Sequence, residues 1–227
     1  MSERSITLFG FGFTARAIAR RLSEDGWHVR ATTRSTGQVE AIAALGYEPV
    51  IADPSNAADH PALQDAARAS DALVFCAPPG QDGDPFAPAL SALDLSAQWL
   101  GYLSTTGVYG DRQGGWAFEY EATTPGQDRS IRRAEAEAHW LERGARLFRL
   151  AGIYGPGRSA FDRLEADKIV FDVPGHVFSR IHVDDIARAV SLAIARPEVS
   201  GAFNLADDWP DTQPHVMTGA AQIAGLP

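Results

Sequence analysis

The feature that most constrains this chain is a glycine turn between an apolar run and a helical pattern. Residues 6–9 are apolar over the length of a buried strand, and residues 14–25 follow an Ala/Leu/Arg pattern of helical period. The turn between them reads Gly10-Phe11-Gly12-Phe13-Thr14-Ala15. A strand, a Gly-x-Gly-x-x-Ala turn and a helix in this order are typical of nucleotide-binding α/β domains.

Each position of this turn has a physical role in binding a dinucleotide. Gly10 suits the tight turn, Gly12 lets the backbone approach a pyrophosphate, and the small Ala15 lets the helix pack closely on the strand. The pyrophosphate would then lie at the helix N-terminus, against Phe13 and Thr14. An ordinary strand–helix turn is the alternative interpretation.

Apolar runs alternate with helical patterns along most of the chain. We predict six strands and five helices, the strands at residues 6–9, 27–33, 47–51, 71–77, 99–104 and 145–150, and the helices at 14–25, 38–45, 61–69, 86–97 and 130–144. This alternation favours a parallel sheet covered on both faces. The predicted fold class is α/β, a Rossmann-type doubly wound parallel sheet with small C-terminal substrate-side segments.

The length of 227 residues fits one domain. We expect a single dinucleotide-binding domain over 1–227. Its core is predicted in residues 1–155 and 180–206, and its substrate-side segments in 156–179 and 207–227.

Composition argues against several classes of partner and site. The net charge of −9 disfavours nucleic acid and anionic membranes as partners. Cys76 is the only cysteine, which excludes an internal disulfide and indicates a cytoplasmic setting. The chain has no signal peptide pattern and no run of roughly 18 apolar residues, so we expect a soluble protein. No His, Asp or Glu cluster has metal-ligand spacing, and we expect no metal.

The end of the second strand indicates which dinucleotide fits. It reads Arg30-Ala31-Thr32-Thr33-Arg34-Ser35, without the acidic residue that binds the ribose hydroxyls of NAD. Arg34, with Thr33 or Ser35, would hold a 2′-phosphate, so NADP is favoured over NAD. Alternatively, Arg34 is a solvated loop residue. Asp53, after the third strand, would accept a hydrogen bond from the adenine amino group or form an Asp-Pro turn.

Four later segments carry a family resemblance. Residues 102–110 (YLSTTGVYG) are similar to the pattern SSxxVYG, 149–158 (RLAGIYGPGR) to RxxxxYGPG, 181–187 (IHVDDIA) to IHVDDxA, and 201–206 (GAFNLA) to GxxxNxx. With the glycine turn, they make the chain resemble the NAD-dependent epimerase/dehydratase branch of the short-chain dehydrogenase/reductase superfamily over essentially its whole length. The resemblance implies a nicotinamide cofactor and carbonyl chemistry. It also implies a small-molecule substrate and a homodimer formed through helices that flank the catalytic segment.

The resemblance further implies a Ser or Thr that polarises a carbonyl, a Tyr that exchanges its proton, and a Lys four residues later. The polarising position falls on Thr105 or Thr106. Arg129 and Arg133 stand at the Tyr and Lys positions, and no tyrosine of the chain has a lysine four residues later, so the chain is an atypical member. Arg133 would replace Lys at the nicotinamide ribose, whereas Arg129 keeps its proton and is a poor general acid.

Several side chains remain candidates for the substrate and the proton. Arg129 and Arg133, four residues apart on one predicted helix, would bind an anionic substrate group, unless Glu135 or Glu137 neutralises them. Tyr109 is a candidate proton donor.

Three other positions follow from the resemblance and from helix signals. Arg180 resembles the substrate-side arginine of the branch, and Pro78 lies where the family passes its backbone along the cofactor. Asp184 is predicted as the N-cap of a helix over 186–194, with His182 in a structural role.

The sequence therefore predicts an NADP(H)-dependent oxidoreductase-like protein that acts on a small carbonyl or sugar-derived substrate with an anionic group. The loss of the Tyr–Lys pair favours an alternative, a non-catalytic dinucleotide-binding protein with a redox-sensing or structural role. The Thr105–Thr106 pair favours the enzyme. Relatives with this pattern continue beyond the position of Pro227, so the substrate lobe is either truncated or naturally short at this end.

Overall fold

The computed structural model describes residues 4–165 and 176–226. Within them the chain forms eleven strands and eight α-helices. The strands are β1 (Ser5–Phe9), β2 (His28–Thr33), β3 (Glu48–Ile51), β4 (Ala72–Phe75), β5 (Trp99–Thr105), β6 (Arg146–Leu150), β7 (Gly152–Tyr154), β8 (Val177–Phe178), β9 (Arg180–His182), β10 (Ala202–Leu205) and β11 (Asp211–Thr212). The helices are α1 (Phe13–Glu24), α2 (Val39–Ala44), α3 (His60–Arg68), α4 (Ala87–Leu90), α5 (Asp128–Glu142), α6 (Ala160–Glu165), α7 (Val183–Ile194) and α8 (Gln213–Ile223). Residues 166–175, within the predicted substrate-side segment 156–179, lie outside the described residues.

Seven strands form one sheet in the order β10-β6-β5-β4-β1-β2-β3. Every pair of neighbours in it is parallel. The chain order reverses between β1 and β4, and such a switch point leaves a crevice at the carboxyl ends of the strands. The predicted doubly wound parallel sheet is confirmed.

Helices cover both faces of this sheet. The core of one face lies under α1 and α7 and includes Ile18, Leu22, Ile186 and Val190. The core of the other face lies under α3, α4 and α5, where Trp140 stacks on Phe75 with ring centroids 3.6 Å apart. Burial on both faces explains why the central strands are apolar runs. No helix in the described parts of the chain is long and apolar enough to cross a bilayer.

One helix is much shorter than its sequence pattern suggests. The pattern predicts a helix over 86–97, whereas α4 has only four residues. Arg143, which directly follows α5, donates hydrogen bonds to the carbonyls of Leu90 (3.1 Å) and Leu93 (2.6 Å). These bonds satisfy carbonyls at and just after the end of the short helix, which would otherwise lack helical partners.

Several elements after β6 were not predicted from the apolar pattern. β10 adds a seventh strand beside β6, α8 follows near the end, and two small sheets pair β7 with β9 and β8 with β11. The helix predicted over 186–194 begins earlier, and its N-cap is His182, whose Nδ1 accepts from the Asp184 N–H at 3.2 Å. The prediction of Asp184 as the cap is wrong. Its carboxylate instead forms an ion pair with Arg20 on α1.

Candidate functional site

The glycine turn lies at the switch point of the sheet and is closely packed. Gly10 has a φ of +96°, and its N–H donates to the Thr32 hydroxyl at 2.8 Å. A Cβ on Gly10 would lie 3.2 Å from Ala77, which follows β4. The positive φ and this close approach together require glycine at this position. Pro78, the next residue after Ala77, is exposed beside the turn.

The N-terminus of α1 opens directly after this turn. Gly12 is its N-cap, no side chain caps the helix, and the first turn holds no acidic residue. The first N–H bonded within the helix is that of Arg16, which donates to the Gly12 carbonyl at 3.1 Å. The N–H groups of Phe13 and Thr14 are therefore available to an anion, and no atom lies within 4 Å of where a Gly12 Cβ would be. Open space before free N–H donors fits a phosphate group.

The loop after β2 carries Arg34 with its side chain exposed. Arg34 has no ion pair with the residues that the structure describes. The Thr33 hydroxyl donates to Gln38 and accepts from the Ser35 N–H, both at 3.1 Å. Arg34 and the Ser35 hydroxyl are thus the polar groups that this loop offers to a ligand.

Asp53, at the end of the neighbouring strand, forms the turn that was its alternative interpretation. Its Oδ1 accepts from the Ser55 hydroxyl at 2.7 Å and from the Ser55 N–H at 3.0 Å. These bonds hold the pKa of Asp53 below its usual range, and the charge of Arg34 lowers it further. Arg34 and Asp53 therefore lie close enough at this edge of the sheet to interact electrostatically.

The carboxyl end of β5 presents two threonines in different arrangements. The Thr105 hydroxyl accepts from the Gly107 N–H at 3.1 Å, which leaves its own proton to donate. The Thr106 hydroxyl is directed to the Leu150 carbonyl at 3.5 Å. The two candidates for the polarising residue are thus distinguished by their partners.

The residue of helix α5 that faces the threonines is not the one that the family resemblance implied. Ser130 is buried, and a Cβ on Gly107 would lie 3.1 Å from the Ser130 hydroxyl and 3.4 Å from that of Thr105. Arg129 is exposed and donates to the Gln127 side chain at 3.0 Å. The buried residue beside the threonines is therefore Ser130, which sequence reasoning missed. The spacing of the inward positions 130, 133, 137 and 140 would have identified it.

Arg133 reaches the sheet from α5. Its Nη1 donates to the Leu103 carbonyl at 2.8 Å and to the Tyr102 hydroxyl at 3.2 Å. Glu137 does not neutralise Arg133, because its carboxylate pairs with Arg149 of β6. Arg133 is thus held beside the end of β5, whereas Arg129 is not.

A buried polar network lies between α5, β6 and β10. Arg149 donates to both carboxylate oxygens of Glu137, at 2.8 and 3.1 Å, and to the Tyr109 hydroxyl at 2.7 Å. The Tyr109 hydroxyl in turn donates to Asn204 at 2.8 Å. Burial favours the neutral form of Arg149, but the bonds to Glu137 and Tyr109 outweigh it and raise the pKa of Arg149. The prediction of Tyr109 as proton donor gains no support here, because its buried hydroxyl already has two partners.

Arg180 lies on β9, within one of the small sheets. Its Nη2 donates to the Trp209 carbonyl at 2.8 Å, and its guanidinium lies over the Phe178 ring. Its Nη1 is buried and has no hydrogen-bond partner among residues 4–165 and 176–226. The substrate-side role of Arg180 stays a prediction.

Comparisons with known proteins agree with this geometry. The family described as NADP oxidoreductase, coenzyme F420-dependent, matches residues 5–95. No protein of curated function matches the sequence. A conserved protein of unknown function from Silicibacter pomeroyi DSS is 38% identical, with a TM-score of 0.86 over 99% of this chain and 79% of that chain.

Two more distant structures share the architecture. A protein from Methylobacillus flagellatus, provisionally assigned as an NAD-dependent epimerase/dehydratase, is 24% identical, with a TM-score of 0.83 over 100% of this chain and 84% of that chain. The dTDP-glucose 4,6-dehydratase of Bacillus anthracis str. Ames, solved with NAD, is 17% identical, with a TM-score of 0.81 over 100% and 82%. This chain belongs to the same family as the Silicibacter pomeroyi protein, and it shares the Rossmann-type α/β fold of the two more distant structures.

Proposed function

We propose that this protein is an NADP(H)-dependent oxidoreductase of the epimerase/dehydratase type, acting on a small carbonyl or sugar-derived substrate. The observation that carries the proposal is the N-terminus of α1, which follows Gly12 at the switch point of the sheet and has no side-chain cap. The NAD bound by the Bacillus anthracis dehydratase, which shares this fold, supports a dinucleotide there.

The preference for NADP rests on the loop after β2. Arg34 offers an exposed guanidinium, and no acidic side chain stands at the end of β2 to bind the ribose hydroxyls. A guanidinium binds phosphate through short, charge-assisted hydrogen bonds. Asp53 is near enough for Arg34 to lower its pKa, and it remains the candidate for the adenine amino group.

The proposed chemistry places the substrate carbonyl beside Thr105. A bound nicotinamide supplies or accepts a hydride at the substrate carbon. Thr105 donates its hydroxyl proton in a hydrogen bond to the substrate oxygen, while the Gly107 N–H orients that hydroxyl from the other side. Arg133, fixed by the Leu103 carbonyl, holds the ribose.

The delivery of a proton to the substrate oxygen is assigned to the two hydroxyl groups beside Gly107. Ser130 and Thr105 both lie next to that glycine, and Ser130 is the proposed relay of a solvent proton to the substrate oxygen. Arg129 cannot do this, because a guanidinium keeps its proton at any working pH. The free Nη1 of Arg180 and the exposed Arg129 are the proposed sites for an anionic group of the substrate.

A panel of carbonyl substrates, followed at the absorbance of NADPH, tests this proposal. Thr105→Ala is expected to lower kcat about 100-fold on any substrate found, because it removes a donor to the substrate oxygen. Thr106→Ala is the matched control and should keep kcat within a few-fold, since the Thr106 hydroxyl is directed to Leu150. Tight NADPH binding without turnover of any carbonyl would favour the non-catalytic alternative. Equal losses in both variants would contradict the role of Thr105.

A further inference from the structure

The turn over residues 155–158 reaches the first residue of α1. The Phe13 ring lies 3.3 Å from the position of a Cβ on Gly155. The guanidinium carbon of Arg158 lies 5.6 Å from the centroid of the same ring, within the range of a cation–π contact. The segment after β7 therefore places the Arg158 guanidinium over the side chain of the first residue of α1.

The backbone of this turn is closed on both sides. The Arg158 N–H donates to the Gly155 carbonyl at 2.9 Å, and the Gly155 N–H donates to the Arg158 carbonyl at 3.3 Å. Pro156 takes the first central position, and Gly157, with a φ of +74°, takes the second, which is the pattern of a type II turn. Because this turn is preformed, little conformational entropy is lost when Arg158 binds a ligand.

Neither positive group at this place has a counter-charge. Arg158 makes no ion pair with any carboxylate in the described parts of the chain. The first turn of α1 holds no acidic residue, and its N-terminus has no side-chain cap. An anion beside both groups would be attracted by the guanidinium and by the helix dipole at once.

We infer that Arg158 binds the pyrophosphate of the dinucleotide and holds it against the N-terminus of α1. The inference rests on the proposed function, because it takes the dinucleotide as the ligand. It adds a contact that the glycine turn alone does not supply. The Phe13 ring packs against the guanidinium, and the Pro156–Gly157 turn fixes the backbone from which the Arg158 side chain projects.

Calorimetric titrations with three probes separate the phosphate groups. The probes are NADPH, ADP-ribose, which has the pyrophosphate without the 2′-phosphate, and 2′-AMP, which has only the 2′-phosphate. Arg158→Met is expected to weaken NADPH and ADP-ribose about 10- to 100-fold, the effect of one charge-assisted contact. Its affinity for 2′-AMP should be unchanged. Arg158→Lys should recover part of the loss, because it keeps the charge without the planar fork.

Arg4→Met is the matched control for the change in charge. Arg4 also lies over an aromatic ring, 4.7 Å from the centroid of Trp27, but at the amino end of β1. This variant should bind all three probes like the wild type.

Each outcome decides the inference. Unchanged ADP-ribose affinity in Arg158→Met overturns it and leaves the proposed function standing, because NADPH still binds. An equal loss for 2′-AMP also overturns it, since a general charge effect would then explain the data. A wild-type protein that binds none of the probes overturns both the inference and the proposed function.

Discussion

Replacing Arg149 with leucine is expected to lower the free energy of unfolding by about 3–5 kcal/mol. Arg149 and Glu137 are only 6% and 4% exposed, so the substitution leaves a carboxylate buried without a partner. It also removes the donor that holds the Tyr109 hydroxyl. Urea unfolding at pH 7, with wild type and variant compared at equal concentration, measures the loss.

The matched control is an ion pair on the surface. Arg68 pairs with Asp65 while their side chains are 57% and 77% exposed, so Arg68→Leu should cost no more than about 1 kcal/mol. The double variant Arg149→Leu with Glu137→Leu should recover much of the stability, because neither charge then needs to be buried. If Arg149→Leu loses no more than Arg68→Leu, the buried network described here does not stabilise the fold.

Replacing Gly12 with valine is expected to weaken NADPH binding about 100-fold or more while the fold survives. Gly12 has φ −90° and ψ −163°, a conformation that other residues adopt, so valine fits the backbone. Apart from its chain neighbours, nothing lies within 4 Å of its Cβ position, so the site has room for a side chain. The new side chain would occupy the space from which phosphates approach the N–H groups of α1. Calorimetry measures the affinity, and the thermal midpoint checks the fold.

Gly219→Val on α8 is the control for this change. Its Cβ position is also free of neighbours within 4 Å. This variant should bind NADPH like the wild type. Wild-type affinity in Gly12→Val would mean that the dinucleotide does not bind at the N-terminus of α1.

The sheet was predictable because both of its faces are buried. Strands covered on both sides are mostly apolar, and the six predicted runs coincide with β1 to β6 to within a few residues. β10 was missed as a strand. Its four residues are only half-buried at the edge of the sheet, and its pairing with β6 joins residues far apart in sequence.

The site was less predictable than the fold, because side-chain partners depend on tertiary contacts. The polar sequence of α5 does not reveal that the partner of Glu137 is Arg149, which lies on β6. Matching the helix to a family pattern selected Arg129, one position away from the buried Ser130. One residue rotates a side chain by about 100° around a helix, which is enough to exchange the buried and exposed faces. The carbonyls at the end of α4 likewise find their partner in Arg143, which is distant in sequence.

The central claim is that this fold binds a dinucleotide and that Arg34 selects NADP. A calorimetric titration of the wild-type protein with NADPH and with NADH, repeated with Arg34→Ala, tests it most directly. We expect NADPH to bind about 10- to 100-fold more tightly than NADH, and Arg34→Ala to remove this preference without weakening NADH. Equal affinity for the two cofactors in the wild type, or binding of neither, would contradict the account.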